Sequence, residues 1–178
     1  ILFRLVGSEM CIRDRPQKPA IKAALDALGF ELPGEPAPLA RHAMACPALP
    51  TCGLAITEAE RALPAVLDRL DALLQRLEID QPLLVRMTGC PNGCARPYMA
   101  ELGLVGSGVN QYQLWLGGTP NLQTLARPFL QKMPLDQLES TLEPLLINWK
   151  QCGVRRSFGA HINRLGDQSV HQLLGTEA

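Results

Sequence analysis

Four cysteines stand in two spaced pairs, Cys46-x5-Cys52 and Cys90-x3-Cys94, with 37 residues between the pairs. Four thiolates drawn from two loops can close a tetrahedral shell around zinc or grip the corners of an iron–sulfur cluster. Zinc knuckles favour two or four residues between paired cysteines, so spacings of five and three fit the wider cluster better. The intervening residues point the same way. CPALPTC places Pro47 and Pro50 between its ligands, which excludes a regular helix and predicts an extended arch. CPNGC carries Pro91 and Gly93, so that loop can turn tightly and bring Cys94 against a bulky group. Two plainer readings compete: four buried cysteines packing as small apolar residues, or a thiol redox pair, whose usual spacing is Cys-x-x-Cys.

Elements of both kinds must carry these loops. Residues 19–28 repeat apolar positions at helical spacing, with Gly29 available as a stop. A proline-rich connection over residues 30–41 leads to the first pair. Residues 54–77 are amphipathic, and Pro64 divides them into two helices or one kinked helix starting afresh at that proline. Residues 83–87 read as a short buried strand that ends just before the second pair. Past it the spacing predicts a short helix with Pro97 in its first turn, then strands in LGLVG and QYQLWLGG joined by a turn over residues 107–110. Residues 135–149 form an amphipathic helix that Pro144 should bend. Helices and strands alternate, so the expected fold class is α+β, layered, with a mixed sheet flanked by helices.

Composition limits the function classes. Lys plus Arg and Asp plus Glu number 17 each, so no global field favours nucleic acid or an acidic membrane surface. No apolar run reaches the roughly 18 residues of a membrane span. With 47% apolar residues the chain can bury a core without staples, so extracellular disulfides are disfavoured and metal or redox use of the cysteines is favoured. A cytoplasmic setting is expected, or the plastid stroma in a photosynthetic eukaryote. Residues 1–15, which contain Cys11 and begin without Met, resemble translated sequencing read-through and are set aside as non-native. Residues 16–178 are then expected to form one carboxy-terminal domain of a longer chain. Arg155 and Arg156 make a modest basic spot, which reads as a solvated face.

The segments HAMACPALPTCGLAITEAERALP and VRMTGCPNGCARPYMAELGLVG, followed by YQLWLGG, closely resemble the haemoprotein of the sulfite and nitrite reductase family, with similarity over roughly residues 17–170. The resemblance implies a 4Fe-4S cluster held by Cys46, Cys52, Cys90 and Cys94, with Cys94 also bridging to the iron of sirohaem. It implies an oxidoreductase that reduces sulfite to sulfide by six electrons, with ferredoxin or another electron donor as partner. The amino-terminal half of the enzyme, which carries the cations that bind substrate, is missing here, so this piece is expected to be inactive alone and no catalytic acid or base is assigned. Within the family, nitrite reductases tend to read GCPNSCG. Gly93, Arg96 and the AELGLVG stretch lie nearer the ferredoxin-dependent sulfite reductases. Ala160 departs from the Gly-Asp that related chains often carry in the SFGAH region.

Asn92 and Arg96 flank the ligand cysteines. Arg96 is expected to hold a sirohaem carboxylate, because a guanidinium matches a carboxylate fork, and Asn92 either contacts the cofactor or caps the turn. His42, His161 and His171 share no metal-ligand spacing. The alternatives are a ferredoxin–nitrite reductase piece with the same cofactors, or a zinc-binding interaction module without redox activity.

Overall fold

The computed structural model describes residues 15–29 and 38–176. The expectations for residues 1–14, with Cys11, and for the connection over residues 30–37 lie outside the described residues. The chain divides into two compact units, Ile1–Pro36 and Ala37–Ala178. In the first, a 3-10 turn leads into helix α1 (Lys18–Ala27), none of whose residues is buried. It stops as the sequence requires, with Gly29 at φ 76°, a conformation that glycine adopts without strain.

The second unit is built on a five-stranded mixed sheet in the order β1-β2-β3-β4-β5. These strands are β1 (Met44–Ala45), β2 (Val85–Thr88), β3 (Leu102–Gly108), β4 (Gln111–Leu116) and β5 (Arg127–Pro134). Strands β1, β2 and β3 run parallel, β4 returns antiparallel to β3, and β5 is antiparallel to β4 in turn. Among the described residues of this unit the helices are α2 (Leu63–Arg76), α3 (Leu138–Gln151), α4 (Phe158–Leu165) and α5 (Asp167–Leu174). None is long and apolar enough to cross a membrane.

Alternation along the strands separates two faces. Val85, Met87, Leu102, Leu104, Leu114 and Leu116 share one face and join Val66, Leu70, Leu142, Leu145, Leu146 and Trp149 of α2 and α3 in a single core cluster. Each fully buried leucine there contributes roughly 2 kcal/mol. The opposite face carries Arg86, Thr88, Gly103, Val105 and Trp115. Ion pairs from Arg69 to Glu139 and from Arg76 to Glu143 join α2 to α3 at the rim of the core.

Several expectations needed correction. Residues 54–62 are not helical: they form turns, and α2 begins only at Leu63 with Pro64 in its first turn. The reason lies in where their amides go. Ile56 and Thr57 both donate to the Gly89 carbonyl at 2.8 and 3.2 Å, and Glu60 donates to Cys46 O at 3.1 Å, so the second cysteine loop takes the bonds that a helix would need. Strand β5 was missed because Pro128 and Pro134 argue against a strand, yet it lies at the sheet edge, where proline is tolerated. Helices α4 and α5 were missed because each has only eight residues, and Gly166 separates them.

Glu101 ties the layers together. Its carboxylate is 1% exposed and accepts from the Leu84 amide at 3.0 Å and the Gly159 amide at 2.9 Å. Burial pushes its pKa up, while the backbone amides of Gly159 and Leu84 pull the other way and do not prevail. A carboxyl raised in the folded state contributes stability that is fully present at acid pH and is lost as pH rises through its folded value. Glu101→Gln keeps one acceptor oxygen but sets an NH2 donor against one of the two backbone amides, so it should be the less stable protein at acid pH, by a margin that narrows as pH rises above the usual carboxylate range. Urea midpoints measured from pH 4 to pH 8 test this; a margin that widens toward neutral pH would show that the two amide bonds outweigh burial.

Candidate cysteine-lined cofactor site

Both cysteine pairs sit just beyond the carboxyl ends of neighbouring parallel strands. The register Met44↔Arg86 and Ala45↔Met87 sets Cys46 one residue past β1 and Cys90 two residues past β2. Open parallel sheets bind their ligands at this edge. Cys46 is fixed twice: its amide donates to Met87 O at 3.2 Å, and its Sγ accepts from the Gly89 amide at 3.3 Å. In cluster sites, a backbone N–H aimed at a ligand sulfur is one of the contacts that tune potential.

The first loop is not the extended arch that its prolines predict. Ala48 adopts φ 50° and Cys52 N donates to Ala48 O at 2.7 Å, so the loop closes into a turn. The second loop behaves as expected. Gly93 has φ 68°, and a Cβ there would lie 2.6 Å from the Tyr98 ring, so conformation and space both require glycine. The Tyr98 hydroxyl donates to Pro91 O at 2.8 Å, and its ring meets Trp115 edge-on with centroids 4.6 Å apart. Burial raises the Tyr98 pKa, and the nearby Cys90 adds to the shift.

The loops are keyed into each other by a third glycine. A Cβ on Gly89 would stand 2.5 Å from Thr57 O and 2.6 Å from the Ala48 Cβ. Thr57 in turn accepts from the Asn110 amide at 3.2 Å and lies 3.2 Å from the Tyr112 hydroxyl, which itself donates to Glu58 O at 2.7 Å. Past Cys94, the 3-10 turn Pro97–Met99 folds back over the helix-free face of the sheet, where a Cβ on Gly103 would lie 2.5 Å from Pro97 O.

All four cysteines are free; Cys46 and Cys90 are buried, Cys52 is half-buried and Cys94 is exposed. Asn92 and Arg96 are exposed on the same loop, and Arg96 takes φ 54°. Among the described residues no group of three or more His, Cys, Asp or Glu side chains is arranged to hold a metal ion. His161 and His171 lie on α4 and α5, Cys152 follows α3, and His42 precedes β1.

Sequence reasoning missed Arg86. It sits on the helix-free face of β2, its Nη1 donates to Arg96 O at 3.4 Å, and its pKa is lowered by burial and by the Arg96 charge. The available signal was a charged residue inside the otherwise apolar run LLVRM. Arg86 Nε and Thr88 Oγ1, two positions apart on that face, are buried without a hydrogen-bond partner among the described residues. Buried polar atoms are rarely left so, and an unfilled pair on the strand that leads to Cys90 fits a polar, electron-rich group held at this edge.

No protein-family model matches the chain. The sulfite reductase [ferredoxin] of Synechococcus elongatus is 55% identical over 76% of the chain, and the sulfite reductase [NADPH] hemoprotein beta-component of Chromohalobacter salexigens is 43% identical over 77%. Among solved structures, the NirA protein of Mycobacterium tuberculosis superposes on 83% of the chain with a TM-score of 0.63 and 28% identity. The chain belongs to the sulfite and nitrite reductase family. It spans 22% and 24% of the length of those two curated relatives and 29% of the NirA chain. As a sulfite and nitrite reductase family member it carries the family's α+β architecture, a mixed sheet flanked by helices.

Proposed function

We propose that this chain is the carboxy-terminal, cofactor-carrying part of an assimilatory sulfite reductase, in which Cys46, Cys52, Cys90 and Cys94 hold a 4Fe-4S cluster next to sirohaem. The observation that carries the reading is the placement of both cysteine loops at the carboxyl edge of β1 and β2, with the Gly89 amide already donating to the Cys46 sulfur. When bound, the paired cofactors supply electrons singly to an oxyanion, in the overall six-electron reduction of sulfite to sulfide.

The protein's own part is to position and insulate. Buried Cys46 and Cys90 are screened from water, whereas exposed Cys94 is the thiolate open to sharing with a second iron. Arg96, backed by Arg86, supplies a guanidinium for a cofactor carboxylate and a positive potential for an anionic substrate. Asn92, exposed on the same loop, would contact the cofactor or cap the turn. Ferredoxin is the proposed electron donor, because the 55% identical relative bears that name. The remaining polypeptide would supply the substrate-binding cations.

Anaerobic incubation of the chain with ferrous iron and sulfide tests the ligand set. The expected product holds about four irons and four acid-labile sulfides per chain. Tight stoichiometric zinc with no uptake of sulfide would replace the redox reading with a zinc-binding module. In the full-length protein, turnover with reduced ferredoxin should favour sulfite over nitrite; the reverse preference would make it a nitrite reductase.

A further inference from the structure

Away from the cysteine loops, the turn between α3 and α4 borders a polar cavity of about 410 Å³ whose lining includes Cys152, Arg155, Arg156, His161 and Arg164. No acidic side chain lines it. Arg61, Arg69, Arg76, Arg127 and Lys150 are each paired with a carboxylate, but among the described residues Arg155, Arg156 and Arg164 are not. Three guanidiniums thus gather at one place in a chain whose formal net charge is zero.

The turn that gathers them is strained and held from both ends. Gly153 at φ 83° is followed by Val154 at φ 47°. A β-branched residue in that region is a rare outlier. The Trp149 indole donates to Arg156 O at 2.9 Å, and Ser157 caps α4 by accepting from the Ala160 amide at 3.4 Å. At the cavity wall His161, 4% exposed, sits with Nε2 2.9 Å from Asn148 Oδ1. Burial, and then the charge of Arg164, hold its pKa below the usual imidazole range.

We propose that this cavity binds a phosphate dianion, either free or as a phosphate monoester. Guanidinium forks match the paired oxygens of phosphate, and an anion relieves the mutual repulsion of three unpaired cations. The volume lies in the range of small-molecule pockets and leaves room beside a phosphate group for the organic part of an ester. The Cys152 thiol, exposed on the lining, is a built-in reporter of occupancy.

The test is a titration of the 178-residue chain, labelled with 15N, with inorganic phosphate and with adenosine monophosphate at an ionic strength held constant with chloride. Saturable shifts confined to amides of residues 151–164, together with slower alkylation of Cys152, are the expected result for either ligand. Tighter binding of the ester assigns the spare volume to its organic part, and equal binding assigns the site to free phosphate; both support it. The double variant Arg155→Gln/Arg164→Gln alters exposed side chains only and should weaken binding about tenfold or more, a loss of about 1.4 kcal/mol. Equal shifts with chloride alone, or unchanged affinity in a double variant that melts like the parent, would overturn the proposal.

Discussion

A full-length reductase carrying Cys94→Ser should lose most of its iron and acid-labile sulfide and, with them, its turnover of sulfite. A serine hydroxyl is far less acidic than a thiol and a poor ligand for an iron corner, so the proposed cluster would keep only three thiolates. The effect should be larger at Cys94 than the loss of one ligand implies, because in the proposed arrangement this exposed cysteine would also serve the sirohaem. Cys152→Ser provides the contrast: this cysteine follows α3, remote in the sequence from both loops, and its replacement should leave the iron content unchanged. Iron and sulfide analysis of both proteins, with the visible spectrum of each, decides the matter. Full iron retention by the Cys94 variant would remove that residue from the ligand set.

Gly159→Ala should cost about 3 kcal/mol or more, at the upper end of what overpacking does. A Cβ there would sit 1.7 Å from Gly118 O and 3.3 Å from Glu101 Cγ, and neither neighbour can retreat. Gly118 is itself pressed against Ala100 O, with its own would-be Cβ at 2.1 Å, and Glu101 is pinned by Leu84 and Gly159. Helix propensity favours alanine over glycine by up to about 1 kcal/mol, so a variant governed by local preference would gain stability. Urea unfolding separates the two outcomes by sign. The larger steric cost should prevail, and the variant should also lose the Gly159 amide bond to Glu101.

The parts of this molecule that could be read in its sequence are those governed by neighbours in the chain. Gly29 and Gly93 marked a helix end and a tight turn because both need left-handed backbone, and both have it. Pro64 and Pro97 marked helix starts because proline is tolerated in a first turn. Residues 54–62 misled because their apolar spacing is helical, yet their amides are claimed by Gly89 and Cys46, partners dozens of residues away or in another loop. Residues 127–134 received no assignment from the sequence: prolines that forbid a central strand are harmless at an edge, and edge position is a property of the whole sheet. At the site, spacing singled out the four cysteines as candidate ligands. Arg86 did not, because its importance comes from the folding of Arg96 back across β2, which no local pattern announces.

The meeting of β1 and β2 has a consequence for how much length variation the chain can bear. Their ladder has only two rungs, Met44↔Arg86 and Ala45↔Met87, and Cys46 and Cys90 follow one residue beyond β1 and two residues beyond β2. Because successive side chains of a strand point to opposite faces, deleting a single residue from this stretch would swap the face to which the Cys46 side chain points. The exposed residues 80–82 between α2 and β2 are under no such constraint, since lengthening a surface excursion costs little. Insertions there leave the cysteine loops untouched, so the tolerance of this chain to gain or loss of residues changes abruptly between those loops and the turn that precedes β2.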